Sequence, residues 1–268
     1  MYGYSFNFNH GVLSSGGGGG GSYGALTQQW ITATGESDST ILNALNDFET
    51  EITAIGLNKF YYLYPFVGGN STKHSYNFLD TSAFQLTWYG GITHDANGYT
   101  PNGTSGYGDT AFNPFSSGVT KTDFGMTMYS RTSVVTTGNR CHVGVSNGAS
   151  QNLLLELSGS WSVAAFHNSA FSWVDASTRK GMFTIVRNGA NNQDFYKNGT
   201  YDRSNAGSTT SDINLNTFIG ARNGNGSASL FSDSNIALQV AHKGLSSSDI
   251  SALNTANTNF QTALSRFL

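Results

Sequence analysis

Between Phe66 and Gly244 the chain is written in short runs of apolar, aromatic and β-branched residues, broken every few positions by clusters of Gly, Asn, Asp and Ser. The runs are Phe84 to Tyr89, Phe124 to Arg131, His142 to Ser146, Leu153 to Leu157, Trp161 to His167, Met182 to Arg187, Phe195 to Lys197, Ile213 to Ile219 and Ile236 to Ala241. Strand-length runs at this spacing, with turn formers between them, predict a mainly β domain of the sandwich kind. The sharpest hairpin signal is Asn198-Gly199, set between Phe195-Tyr196 and Tyr201, because both central residues of a type I′ turn need positive φ.

Outside that stretch the apolar period becomes helical. From Ser37 to Gly56 the residues Ile41, Leu42, Leu45, Phe48, Ile52 and Ile55 recur at three and four positions, with Ser37 or Asp38 placed to cap the start and Gly56 to end the helix. A shorter helix bearing Trp30 is expected over Leu26 to Ala33, and Leu57 to Tyr64 reads as further helical turns before Pro65. Ser246 to Leu268 is a second amphipathic helix, and Ser246 with Asp249 three residues on has the form of a capping box. These apolar faces need a partner, and the sandwich is the nearest one. The expected organisation is an arm and linker over 1–24, a helical segment over 25–64, the sandwich over 65–245 and a helix packed on it over 246–268.

The N-terminus has a pattern of its own. Tyr2, Tyr4, Phe6 and Phe8 alternate with small or polar residues, which in an extended chain makes one aromatic face too short to bury itself. It is followed by Gly16, Gly17, Gly18, Gly19, Gly20 and Gly21, a composition that behaves as a flexible linker with a reach of about 15 Å for nine residues. The joint reading is an assembly anchor on a tether.

At 268 residues the chain is long enough to bury a sandwich core without disulfides or metal, and its single Cys141 has no intrachain partner. A formal charge of −3 with 13 Lys plus Arg and no basic run gives no electrostatic footprint for duplex nucleic acid or an anionic membrane. No apolar stretch reaches the ~18 residues a membrane helix needs, and Met1 to His10 lacks the n- and h-regions of a signal peptide, so neither membrane insertion nor export is expected.

Catalytic patterns are sparse. Retaining glycosidases need two carboxylates about 5.5 Å apart, which on a strand face means alternate positions. The sandwich has one Glu, Glu156, and no acidic-x-acidic pair; a dyad would have to be built from distant loop residues such as Asp95 and Asp109. There is no Gly-x-Ser-x-Gly elbow, and Cys141 and His142 are strand neighbours expected to face opposite ways. The six His residues stand apart in sequence without an i, i+4 pair, which argues against a transition-metal site. No enzyme is expected.

Several stretches resemble those of tailed-bacteriophage structural proteins that carry a concanavalin A-like, laminin-G-type jelly roll. They are Leu63-Tyr64-Pro65-Phe66-Val67-Gly68-Gly69, Trp88 through Gly90-Gly91-Ile92-Thr93-His94 to Pro101-Asn102-Gly103-Thr104, Gly106-Tyr107-Gly108-Asp109-Thr110, Phe195-Tyr196-Lys197-Asn198-Gly199 and Phe218-Ile219-Gly220-Ala221-Arg222-Asn223. The resemblance covers about residues 26 to 266. It implies a virion component, such as a head decoration protein, a head fibre or a tail part, in contact with other virion proteins and repeated as a homo-oligomer with the symmetry of the particle. The arm makes attachment by the N-terminus the favoured geometry.

Two binding chemistries remain. Laminin-G and lectin relatives bind calcium at loop tips, and the loop from His94 to Asn113 offers Asp95, Asn97, Asn102 and Asp109, although such residues also serve turns. A host surface glycan is the second. Sandwich sugar sites use exposed rings among polar side chains, and Trp88, Tyr89, Tyr99, Tyr107, Trp161 and Trp173 are available. Tyr99 and Tyr107, in a Gly-rich loop, are the rings expected to be exposed. A receptor-recognition module is therefore the alternative to a purely structural role, with a glycan-cleaving enzyme of the same fold as the third reading.

Overall fold

Two sheets lie face to face, and three helices cover the outside of one of them, in the computed structural model, which describes residues 23–132, 138–157, 160–167, 171–173 and 179–267. In chain order the elements are α1 (Ala25–Thr34), α2 (Ser39–Ile55), a 3-10 turn (Leu57–Lys59), β1 (Phe60–Tyr64), α3 (Ser71–His74), β2 (Thr87–Tyr89), β3 (Ile92–Asp95), β4 (Gly98–Pro101) and β5 (Tyr107–Asp109). There follow β6 (Phe124–Ser130), β7 (Asn139–Ser146), β8 (Gln151–Leu157), β9 (Ser160–His167), β10 (Phe171–Trp173), β11 (Gly181–Arg187), β12 (Asn192–Lys197) and β13 (Thr200–Ala206). The chain ends with β14 (Phe218–Ile219), β15 (Arg222–Gly224), β16 (Ser227–Ser229), β17 (Ile236–His242) and α4 (Ser247–Ala263).

The first sheet runs β13-β12-β11-β6-β17-β4-β3, with β1 also on β17; the second runs β10-β9-β8-β7-β14-β5-β2, with β15 on β7 and β16 on β15. Pairing is antiparallel except between β15 and β7. The concanavalin-like jelly-roll expectation holds at the level of architecture, a mainly β sandwich with a few helices.

The inner strands of the first sheet are covered on both faces, and their residues divide accordingly. Phe124, Met126, Met128, Phe183, Ile185 and Phe195 point to the second sheet, where they meet Val143, Val145, Leu154, Trp161 and Val163. Trp161 sits 4.3 Å from Phe183 between ring centroids. Tyr129, Met182, Val186, Leu238 and Val240 point the other way and pack against Trp30, Leu45, Phe48, Ile52, Leu253 and Phe260 of the helices. Phe48 of α2 stacks on Phe260 of α4 at 4.7 Å. Truncating a ring at either interface would cost about 3–5 kcal/mol, since the close-packed surroundings relax only partly. The helices thus share a core with the sandwich and are not a separate unit.

Caps follow the sequence. The Asp38 side chain accepts from the Thr40 and Ile41 amides at the start of α2, and the reciprocal Ser246–Asp249 capping box opens α4. Glycine precedes α1 and offers no side-chain cap; instead Glu49 of α2 accepts from the amides of Leu26 (3.0 Å) and Thr27 (2.9 Å) and from the Thr27 hydroxyl. Asn198 and Gly199 take φ of 50° and 75° in the β12–β13 hairpin, the positive pair that a type I′ turn requires.

Three expectations need correction. Past the 3-10 turn, Leu57 to Tyr64 is not helical: Phe60–Tyr64 is strand β1, paired with β17. Aromatic residues suit a strand covered on both faces, and Tyr62 and Tyr64 face the second sheet while Leu63 faces the helices. The helical segment therefore stops before Phe60. Of the run Ile213 to Ile219 only Phe218–Ile219 is strand, and Ile213 fills the core from a loop. The span from His94 to Asn113, read as one long loop, contains β4 and β5.

Candidate functional site

The outer face of the second sheet carries a column of aromatic rings that ends in an exposed tyrosine at the β2 edge. On β2 the residues alternate, so Trp88 turns inward, 5.2 Å from Tyr99 and 4.7 Å from His94, while Thr87 and Tyr89 turn outward. Tyr89 lies directly across from Tyr107 of β5, and Thr87 across from Asp109. The two tyrosine rings stack at 4.9 Å and 14°, and Tyr107 in turn meets Phe218 of β14 at 4.7 Å. Phe231 flanks this column at 6.3 Å from Tyr107. Tyr89, at 45% exposure, ends the column at the sheet edge, whereas Phe218 is 6% exposed.

Polar groups stand next to the rings. Asp109 shares the outward face with Tyr107; its Oδ1 accepts from the Ala111 amide (2.9 Å) and its Oδ2 from the Asn216 side-chain amide (3.2 Å). Packing, then the neighbouring Tyr89 and the Asp109 carboxylate, raise the Tyr107 hydroxyl above its ordinary value, so it is a neutral donor and acceptor at physiological pH. A flat apolar ring beside hydroxyls, an amide and a carboxylate offers stacking to a C–H-rich surface and hydrogen bonds to its rim.

Of the rings singled out in the sequence, Tyr107 belongs to this column and Tyr99 does not. Tyr99 is 0% exposed, packed at 4.7 Å from Phe66. The reason is β4: pairing with β17 at Ile236 turns Tyr99 into the sandwich. Trp161 is buried as well.

The calcium candidates are not brought together. Asp95 and Asn97 sit in the β3–β4 turn of the first sheet, where Asp95 accepts from the Asn97 amide at 2.7 Å, whereas Asp109 is on the second sheet. Asn102 Oδ1 accepts from the amides of Thr104, Ser105 and Gly106, so these side chains serve turns, and they do not fit a calcium cage. Among the described residues no group of three or more His, Cys, Asp or Glu side chains converges. The anchor residues Tyr2, Tyr4, Phe6 and Phe8 and the linker Gly16 to Gly21 lie outside the described residues.

Histidines that stand apart in sequence do meet. His74 Nδ1 lies 3.0 Å from His94 Nδ1, one ring donating to the other, beneath Trp88, whose Nε1–H donates to the Ser71 carbonyl at 3.0 Å. Burial, then His94 and Arg266, push His74 down to about 3. Cys141 and His142 are both buried; desolvation raises the thiol to about 12 and lowers the imidazole to about 3, and His142 Nδ1 pairs with the Ser232 hydroxyl at 2.8 Å. An inert thiol of this kind is not a nucleophile.

No family model matches the chain, and no curated protein sequence matches it. Solved structures do match in shape. One is the receptor binding domain of botulinum neurotoxin C/D mosaic serotype, at TM-score 0.53 and 11% identity over 74% of this chain and 51% of that one. Another, at TM-score 0.55 and 14% identity over 77% and 53%, comes from work describing the dependence of botulinum neurotoxin type C cell entry on interaction with two ganglioside molecules. A third is a mutant of Trypanosoma rangeli sialidase displaying trans-sialidase activity, at TM-score 0.55 and 13% identity over 82% and 39%. The chain spans about half the length of the toxin domains it matches. At these identities the likeness is one of fold, a sandwich shared mostly with binding domains.

Proposed function

We propose that the chain is a non-catalytic carbohydrate-binding module for host recognition and that its ligand face is the Tyr89–Tyr107–Phe218 column on the outer face of the second sheet. The observation that carries this reading is an exposed tyrosine, backed by a stacked ring and bordered by Thr87 and Asp109. A pyranose has the matching amphipathic form, with C–H groups on one face and hydroxyls around the rim. The fold is supporting context, since one structure of similar shape belongs to a toxin whose entry is described as ganglioside-dependent. A binding role without hydrolysis agrees with the isolation of Asp109 from a second sandwich carboxylate at alternate spacing.

The module's setting is part of the same proposal: a phage particle, held through Tyr2, Tyr4, Phe6 and Phe8 on the Gly16 to Gly21 tether against other virion proteins, in several copies. The resemblance described above and the aromatic alternation of the arm support it. An extended aromatic segment can add to a sheet edge or fill a groove. Deleting residues 1–15 should leave a folded sandwich that no longer enters particles; normal incorporation of the truncated chain would remove the anchor.

Binding is tested with an immobilised panel of bacterial-surface and mammalian glycans probed by the full chain and by a Tyr89→Ala/Tyr107→Ala double variant. The reading expects saturable binding that the double variant loses while its circular dichroism is unchanged. No binding, or binding untouched by the double substitution, rejects it.

A further inference from the structure

On the helix side of the first sheet, away from the aromatic column, a cavity of about 340 Å³ opens between α4, the β12–β13 hairpin and the start of β11. Asn198, Asn254, Asn257 and Lys180 line it, together with the rings of Tyr129 and Phe267. Two glycines allow the close approach that shapes it. At Gly199 a Cβ would stand 2.8 Å from Asn254 Cβ, and at Gly181 one would stand 2.5 Å from Asn198 Oδ1. Phe267 is half exposed and lies parallel to the buried Tyr129, 6.3 Å away between centroids.

Which end of each amide is left for a ligand is settled by partners that can only donate. Arg266 is buried and has nothing but N–H groups to offer, so its Nε–H, 2.9 Å from Gln261 Oε1, fixes the orientation of that side chain. Gln261 must then present Nε2 to Asn257, 3.0 Å away, and the acceptor there is Oδ1. Left over is Asn257 Nδ2, on a side chain that is 1% exposed and borders the cavity. Asn198 is set in the same way. The Met182 backbone N–H donates to its Oδ1 at 2.9 Å, which leaves Nδ2 unspent. The Asn254 side chain has no hydrogen-bond partner among the described residues and can turn to suit what enters. Acceptors are thus consumed inside the protein while donors remain. No carboxylate lines the cavity among the described residues, and Lys180 places a cation there. Such a lining favours acceptor atoms, ionised ones above all, because charge-assisted hydrogen bonds are the stronger kind.

We infer that this cavity binds a small organic anion, whose carboxylate takes hydrogen bonds from the Asn198 and Asn257 amides beside Lys180 while its apolar body lies against Phe267. The site is on the other sheet from the Tyr89 column, and the inference does not rest on the carbohydrate reading.

The test is an NMR titration of the isotope-labelled full chain with phenylacetate, following the side-chain amide signals of asparagine. Saturable one-to-one shifts are expected at Asn198 and Asn257. Phenethylamine, of similar shape but cationic, should bind at least about tenfold more weakly, and neutral phenylacetamide about fivefold more weakly. Asn198→Asp keeps an acceptor for Met182 and an Asp-Gly turn that suits the hairpin, but it exchanges the donor for a carboxylate oxygen, so phenylacetate affinity should fall at least about tenfold. Asn257→Asp makes the same exchange behind the Gln261 contact and should act alike. The Tyr89→Ala/Tyr107→Ala variant should titrate as the unaltered chain does. Three results overturn the inference: no saturable shift at either amide up to about 50 mM phenylacetate, phenethylamine binding as well as phenylacetate, or affinity unchanged in a folded Asn198→Asp chain. The comparison of the three probes uses the unaltered chain, so it decides the matter even if a variant fails to fold, and none of its outcomes bears on the sugar face.

Discussion

Lowering the pH from 7 to 5 should remove much of the protein's stability, and the cause is three buried neutral histidines. His74, His142 and His242 are all at most 1% exposed. Desolvation is the leading cause of each shift and holds them at about 3, about 3 and about 4. His242 Nδ1 faces the Lys243 carbonyl at 2.6 Å, which fixes its proton there and leaves Nε2 to accept from the Thr127 hydroxyl at 3.0 Å. In the unfolded chain each imidazole titrates near 6.5. The folded values are depressed, so the unfolded state binds more protons below pH 6.5, and stability falls as pH falls towards the folded values. Well inside that window three extra protons give a slope of about 4 kcal/mol per pH unit, and the integral from pH 7 to pH 5 is about 2 kcal/mol per histidine, or about 6 kcal/mol in all. That is comparable with the whole stability of a typical domain. Carboxylates with lowered values, Glu36 and Asp249, act only below their ordinary range and leave this window to the histidines. The assay is urea unfolding followed by tryptophan fluorescence at half-unit pH steps, with His142→Gln as a control whose slope should be shallower by about 1.4 kcal/mol per pH unit. A midpoint constant between pH 7 and pH 5 would refute the buried, neutral state of these rings.

Other substitutions test the packing that presents the site. Arg266 is buried and donates to the carbonyls of Phe66 (2.8 Å), Pro65 (3.1 Å), Ala96 (3.3 Å) and Ala237 (3.4 Å), so Arg266→Ala should cost about 4 kcal/mol in denaturant midpoint analysis by stranding several acceptors. Glu49→Gln should cost about 2 kcal/mol and expose α1 first, visible as faster amide exchange over Ala25–Thr34, because the carboxylate serves two orphan amides there. Gly199→Ala should lower stability by about 1–2 kcal/mol, since φ is 75° and a Cβ would stand 2.8 Å from Asn254 Cβ, whereas the more exposed Gly226→Ala, also at positive φ but with nothing within 4 Å, should cost only the backbone part.

The parts of the fold readable in the sequence are those with a local cause. The spacing of Ile41 to Ile55, the Asp38 and Ser246 caps and the Asn198-Gly199 turn all act within a few residues, and each appears in the structure where the pattern puts it. Strands β4 and β5 are three or four residues long and embedded among glycines, so their placement is set by partners far away in sequence, β17 and β14. That is why the sequence presents Tyr99 as a loop ring while the fold buries it. The same gap hid the best member of the site: Trp88 and Tyr89 are adjacent, one must face in and one out, and only the register with β5 decides which. His74 and His94 likewise meet through tertiary placement, with no spacing rule to announce them. Phe60, Tyr62 and Tyr64 carry no strand signature in the sequence, because a strand covered on both faces loses the alternation that marks a half-buried one.

Ring signals of selectively labelled tyrosine and phenylalanine, followed while a neutral methyl glycoside is added, bear most directly on where this protein meets its ligand. The account expects saturable movement of Tyr89 and Tyr107, with a smaller response from Phe218, and stillness at the exposed rings Phe115 and Tyr201. Movement confined to those latter rings, with Tyr89 unmoved at saturation, would contradict it.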